Sequence, residues 1–381
     1  MKNIVRTVCG GVALVAMLAL VGPAFSQINA GNRTASLTRP FTETAVASFQ
    51  SPWAIAILPD TRMLVTEKPG HLFLVTSAGE KTEVTGVPKV AYEGQNGLLD
   101  VAISPSFGTD DTVYLSFSEP GTGGSSLALG TGRLTESGTT ATLADFKVIW
   151  RQEPAGPGGQ PGGIIAFSPD GTHLFLTSGD RMRPETAQDP EQAMGKVLRL
   201  NLDGSTPSDN PMASEGGVAA QIWTLGHRNP YGLAFDAAGQ LWLHEMGPKG
   251  GDELNLLKPG SNYGWPVVSN GDNYNGTPIP RHDTPPEFQA PALYWNPVIA
   301  PAGLAFYEGD LFPQWKGSAL IGGLQSRALV RVTFDGKGGA DEAERWDMGQ
   351  RIRDVAVAAD GAVWLIEDSQ TGRLLRLTPT P

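Results

Sequence analysis

Four short polar segments hold the side chains that can do chemistry. In His227-Arg228-Asn229-Pro230 an arginine offers a fixed fork of donors suited to a carboxylate or phosphate, with an amide beside it. An ion pair with an acid would employ the same arginine structurally. In Gln350-Arg351-Ile352-Arg353, extended alternation puts both guanidiniums on one face. That suits an anionic ligand, or pairing with Asp354 or Asp347. Gly94-Gln95-Asn96-Gly97 offers amide donors and acceptors, or a self-bonded turn. Glu245-Met246-Gly247-Pro248-Lys249-Gly250-Gly251-Asp252-Glu253 interleaves carboxylates with glycines. Calcium takes such carboxylate and backbone carbonyl oxygens. The spacing is not that of an EF-hand, and an acidic loop tip has the same composition.

Other chemistries lack their residues. The histidines show no metal-ligand spacing, and there is no Gly-x-Ser-x-Gly elbow or phosphate-binding glycine loop. Gly158-Gly159-Gln160-Pro161-Gly162-Gly163 leads into an extended apolar segment, not a helix, which excludes a dinucleotide fingerprint.

The elements that must position these segments repeat along the chain. Six units share one pattern: alternating small and large apolar residues, a turn, then a second apolar strand. They open at Trp53, Leu98, Ile164, Tyr231, Gly303 and Asp354. An alanine recurs at one place in each: Ala56, Ala102, Ala166, Ala234, Ala305 and Ala356. Small residues there suit inner strands crowded around an axis. Units of roughly 45–70 residues fit four-stranded blades with loops, so the expected fold is all-β, a six-bladed β-propeller. Two packed β-sandwiches are the competing architecture. Residues 27–50 are expected to pair into the sheet. Helix is limited to a short turn within 186–196, and loops are expected at 119–130, 153–163 and 247–290.

Whole-chain properties narrow the setting. The 381 residues carry a net charge of −11, which argues against a nucleic-acid partner. Lys2 and Arg6, an apolar run from Val8 to Val21, and small residues at Ala24 and Ser26 read as a secretory signal peptide, residues 1–26. The run is too short to favour a membrane span. Residues 27–381 form a single domain, periplasmic or secreted. Its only cysteine, Cys9, leaves with the signal, so a large core, not disulfides, supplies the stability.

Taken together, these motifs resemble the soluble quinoprotein aldose sugar dehydrogenases, the glucose/sorbosone dehydrogenase family. The resemblance runs through Gly94-Gln95-Asn96-Gly97-Leu98-Leu99, Gly195-Lys196-Val197-Leu198-Arg199-Leu200, Gly226-His227-Arg228-Asn229-Pro230, Gly247-Pro248 with Gly251-Asp252-Glu253, Asn262-Tyr263-Gly264-Trp265-Pro266, and Gln350-Arg351-Ile352-Arg353. It covers nearly the whole mature chain. It implies a six-bladed propeller, pyrroloquinoline quinone (PQQ), calcium, a sugar substrate and an external electron acceptor. It places PQQ against Arg228, Asn229, Arg351 and Arg353. The calcium beside the quinone takes the backbone carbonyls of Gly247 and Pro248, and a second calcium lies near Glu253 and Tyr263. Gln95 matches an active-site residue. Tyr294 and Trp295 could stack on a sugar or belong to the core.

Two positions depart from the family pattern. Gln160 stands where the family has its general-base histidine, and Gly159 where an aspartate orients it. An amide is no general base near neutral pH. Gln325 stands in place of a PQQ-contacting lysine, with Arg327 two residues on. Three readings remain: a dehydrogenase with another proton acceptor, a catalytically impaired propeller that binds a sugar or other ligand, and a calcium-dependent lactone hydrolase. Arginines at the inner-strand starts argue against the last.

Overall fold

The computed structural model describes residues 27–284 and 287–380; residues 1–26, expected from the sequence to be a signal peptide, lie outside them. Among the described residues the chain is mostly β, arranged in five hydrogen-bonded sheets. One sheet has eight strands, in which two antiparallel four-stranded units meet through a parallel pairing of Lys81–Thr85 with Thr140–Arg151. Among the described residues the strands therefore form six units, five of four strands and the fourth of five, in which Ile28–Asn29 pairs in parallel with Leu293–Trp295. Their first strands are Pro52–Ile57, Leu98–Ile103, Gly162–Phe167, Pro230–Phe235, Pro301–Tyr307 and Ile352–Val357. Each packs against the next, and the sixth packs against the first. The repeats read from the sequence are these strands and their hairpin partners. The recurrent alanines hold equivalent registers, opposite Leu64, Tyr114, Phe175, Trp242, Leu320 and Trp364.

The units are tied together by side chains on their second strands. Thr66, Ser116 and Thr177 donate to Leu99 O, Gly163 O and Pro230 O of the following first strand. In the fourth unit His244 Nε2 meets Gly303 O at 2.9 Å, and burial pushes its pKa down to about 4. Buried hydroxyls matched to carbonyls keep the inner strands satisfied where no sheet ladder reaches. The sixth unit draws on both ends of the chain: Phe41–Phe49 pairs antiparallel with Gly372–Pro379. Closing the ring this way protects edges that would otherwise invite aggregation.

Two aspartates at first-strand bulges also bridge units. Asp100 Oδ2 accepts from Ile165 N, and Asp354 Oδ2 from Ile55 N, both at 2.8 Å. So Asp354 does not pair with Arg351 or Arg353. Burial raises both pKa values, that of Asp354 to about 7, and the charge of Asp354 adds to the rise at Asp100. A raised folded-state carboxyl contributes stability that is complete below its unfolded pKa and is lost as pH rises through the folded value. We expect Tm to fall by a few degrees between pH 5.5 and 8, reflecting about 2 kcal/mol from Asp354 alone. Asp354→Asn should lower Tm at pH 5.5, by losing an acceptor, yet flatten the slope. An unchanged slope in thermal melts would refute this assignment.

Three expectations are corrected. Residues 119–130 are not a loop but part of a long hairpin, Thr112–Gly121 with Gly124–Ser137. Its glycines are there for close packing: a Cβ on Gly130 would meet Phe146, and one on Gly132 would meet Leu143. The expected loop 247–290 is interrupted by the strand Asp252–Leu256. Of the two readings left open for Trp295, the core is the one observed: it is fully buried with Nε1 donating to Glu342 at 2.6 Å, and Tyr294 sits in the same outer strand. Helix is not limited to a turn within 186–196: the 3₁₀ segment there is Pro184–Gln188, and short helical turns also occur at Phe107–Asp110, Ala213–Glu215, Ala219–Gln221 and Pro313–Trp315.

Candidate active site

Residues that enter a first strand and residues that leave its antiparallel partner lie at the same end of a unit. Segments 94–97, 158–161, 226–229 and 350–351 therefore gather on one face with Lys68, Asp180, Met246-Gly247 and Asp368, which follow second strands. Gln95 Oε1 accepts from Gln160 N at 2.5 Å, and Asn96 Nδ2 donates to Gly158 O at 3.0 Å. A Cβ on Gly159 would lie 2.8 Å from Gln95 Oε1, so a larger residue there would make the Gln95 amide shift. Asn96 Oδ1 in turn accepts from Arg181, whose buried guanidinium also holds Ser125.

The two strand-entry arginines meet on one carboxylate. Arg351 Nε donates to Asp368 Oδ2 at 2.6 Å, and Arg353 Nη2 to Asp368 Oδ1 at 2.8 Å. Pairing with Asp347 or Asp354 is thus replaced by Asp368. Burial pushes the Asp368 carboxyl up, but Arg353 and Arg351 outweigh it and hold it below its ordinary value. The Arg353 guanidinium also lies 5.7 Å from the Tyr231 ring and 6.0 Å from Trp53. Lys68 adds a cation beside this group: its Nζ donates to Gly94 O at 2.7 Å, while burial and then the charge of Arg353 lower its pKa.

A second line of contacts runs through Arg228. With the Gln160 amide oriented to satisfy both neighbours, its nitrogen faces Asp180 Oδ1 at 2.5 Å and its oxygen faces Arg228 Nη2 at 2.8 Å. Arg228 Nη1 donates to Met246 O at 3.0 Å and Gly247 O at 2.8 Å, and its guanidinium lies 5.4 Å from the Trp265 ring. Burial pushes Asp180 up to about 6. The Gly247-Pro248 turn is held by Asp252, which accepts from Gly247 N, Ile299 N and Ala300 N. Burial pushes Asp252 up to about 7.

Beneath the turn lies a buried polar cluster. Glu245 Oε2 accepts from Arg228 N at 2.6 Å, Glu245 Oε1 meets His227 Nδ1 at 2.9 Å, and Glu253 sits opposite Glu245 with Oε1 3.1 Å from His282 Nε2. Tyr263 stacks on His227 at 5.0 Å, but its hydroxyl is committed to Leu256 O and Lys258 N, which leaves its backbone carbonyl for any ligand. Among the described residues no group of three or more His, Cys, Asp or Glu side chains is arranged for a metal. A site built on carbonyls is not of that kind.

The residues present suit an anionic polycarboxylate: Arg228, Arg351 and Arg353 supply three cations. Asn229 Oδ1, fully buried, has no donor and is left for a ligand N–H or a cation. Gln325 is exposed next to Leu324, whose carbonyl lies 3.5 Å from Arg351 Nη1, and Arg327 is also exposed. Sequence reasoning missed Asp180, Asp368 and Lys68. The signal was present: each follows a second strand, and hairpin geometry returns that point to the face where the first strand begins.

The chain belongs to the glucose/sorbosone dehydrogenase family, whose model matches residues 49–376. It is 39% identical to the aldose sugar dehydrogenase YliI of Escherichia coli (strain K12), covering 86% of this chain and 90% of that one. The crystal structure of the soluble E. coli aldose sugar dehydrogenase in its apo-form superposes with a TM-score of 0.85 at 37% identity, over 89% of this chain and 100% of that one. The PQQ-bound aldose sugar dehydrogenase from Streptomyces coelicolor superposes with a TM-score of 0.71 at 26% identity, over 90% and 100% of the two chains.

Proposed function

We propose that this chain is an exported quinoprotein that oxidises aldose sugars at the anomeric carbon to lactones and passes the electrons to an external acceptor. The supporting observation is the gathering of Arg228, Asn229, Arg351 and Arg353 at one face of a chain so similar to aldose sugar dehydrogenases. The ring of six first strands supports reading the domain, residues 27–381, as a six-bladed propeller with this face as its mouth. The n-region, apolar run and small cleavage residues support export to the periplasm or medium. Among the described residues no helix is long and apolar enough to cross a membrane.

In this reading bound PQQ supplies the quinone that takes hydride from the sugar, and calcium polarises it as a Lewis acid. Arg351 and Arg353 bind the cofactor's carboxylates, competing with Asp368. Arg228 and Asn229 would line its other side, the Gly247 and Pro248 carbonyls would hold the catalytic calcium, the ion displacing Arg228 Nη1 from Gly247 O, and Gln95 would face the sugar. Glu253 and the Tyr263 carbonyl are the candidates for a second calcium. Gln325 contributes no charge, and Lys68 supplies a cation nearby.

Purified mature protein with added PQQ and calcium should reduce a redox dye when given aldoses. Arg353→Ala should weaken PQQ binding roughly 10–100-fold, the value of one charge-assisted hydrogen bond. Absence of dye reduction with PQQ bound would overturn the dehydrogenase reading.

A further inference from the structure

Gln160 cannot take the sugar proton, so the proton must go elsewhere. We propose that Asp180 accepts the proton of the anomeric hydroxyl, becoming accessible when the Gln160 amide turns off its Oδ1. This rests on the dehydrogenase reading above.

Three observations point to Asp180. First, its carboxylate is 1% exposed and has three donors of unequal mobility. Trp265 Nε1 holds Oδ2 at 2.8 Å and the backbone of Met182 holds Oδ1 at 2.9 Å. Both are fixed by the fold. The third donor, the Gln160 amide, hangs on three rotatable bonds and can leave. A sugar hydroxyl replacing it donates to the same oxygen, so no acceptor is left unpaired.

Second, backbone strain surrounds this carboxylate. Gln160, Arg181 and Met182 all lie in the left-handed region, at φ of 52°, 57° and 58°. Non-glycine residues there carry a conformational cost and persist where the surroundings hold them, commonly at functional sites. Third, a cleft of about 520 Å³ lies beside the pair: its lining includes Gly158 and Gly159, which precede Gln160, Gln95, which accepts from Gln160 N, and Met182, two residues after Asp180.

The other buried acids of this face are committed. Asp368 is held between two arginines, Asp252 by three backbone N–H groups, and Glu245 and Glu253 by buried histidines. Electrostatics agree with the geometry. Burial raises Asp180 to about 6, Arg228 opposes the rise and Glu245 adds to it. A base poised there is ionised at neutral pH yet basic enough to take a proton.

In the reaction the C1–H bond breaks and its electron pair leaves as hydride to the quinone. The O1–H bond breaks as its proton passes to Asp180, and a C1=O bond forms. The sugar loses two electrons and two hydrogens, the quinone is reduced, and the carboxyl returns its proton to water.

The test uses the protein loaded with PQQ and calcium. Asp180→Asn should lower kcat about 10²–10⁴-fold and abolish the acid limb of the kcat/KM profile near pH 6, while PQQ affinity, read by absorbance titration, stays within threefold. Gln160→Ala uncovers the carboxylate and should raise kcat severalfold with the limb retained. Asp180→Glu guards against a folding failure of the asparagine variant and should shift the limb, not remove it. Turnover by Asp180→Asn within threefold of the natural protein, with the limb intact, overturns the assignment to Asp180. No turnover by the natural protein, with PQQ bound, instead overturns the dehydrogenase reading.

Discussion

Glu245→Leu is expected to lower unfolding stability by about 3–5 kcal/mol, the usual result of removing one partner from a buried ionic network. Leucine has similar bulk, so the loss is polar and not a cavity. It strips the acceptor from Arg228 N and the partner from His227 Nδ1, in a cluster where His227 is 0% exposed. Asn255 Nδ2, 3.3 Å from Glu245 Oε1, loses a second contact. Because Arg228 is anchored through its own backbone here, PQQ affinity should fall along with stability. Glu245→Gln keeps the shape and one acceptor oxygen and should cost about 1–3 kcal/mol. Arg62→Ala, which breaks an exposed pair with Glu136, serves as the control and should cost less than about 1 kcal/mol. Urea melts of the three variants decide the matter: equal losses for Glu245→Leu and Arg62→Ala would show that the cluster is not what holds this face.

Trp315→Ala should cost a similar ~3–5 kcal/mol for a different reason, the deletion of a large buried ring. Trp315 is 1% exposed and stacks on Phe312 with centroids 4.0 Å apart and planes within 6°. Trp346 lies 5.1 Å away, and Phe41 meets Trp315 edge-on at 6.0 Å. Aromatic pairs at these separations contribute beyond their buried area. Phe41 begins the strand that closes the ring, so the cavity opens beside the seam between the chain's two ends. Limited proteolysis should then cut within Phe41–Phe49 much faster than in the natural protein. Unchanged protection of that strand, with stability lost, would show that the seam does not depend on this cluster.

Much of the architecture was legible because period-two alternation and a recurrent alanine mark each first strand. The hairpin over 119–130 was misread because glycine and serine usually signal loops. Here Gly130 and Gly132 instead let neighbouring side chains approach a strand. Arg228, Asn229, Arg351 and Arg353 could be picked out because they directly precede or begin first strands. Asp180 and Asp368 escaped notice because each is one acid among many, and only three-dimensional pairing joins Asp180 to Gln160 or Asp368 to both arginines. Spacing along the chain carries no trace of such contacts, since the partners lie on different strands or units.

The sixth unit has a consequence for how the molecule comes into being. Its outer strand, Phe41–Phe49, is made long before its partner, Gly372–Pro379. The early strand must therefore wait for the whole chain before it gains its ladder. Contacts that span almost the full length make folding slow and leave the waiting strand open to wrong partners. The ring is therefore completed only after Gly372–Pro379 has emerged. A truncation of even ten residues at the C-terminus should then yield material recovered in inclusion bodies or degraded, and not a slightly weakened enzyme.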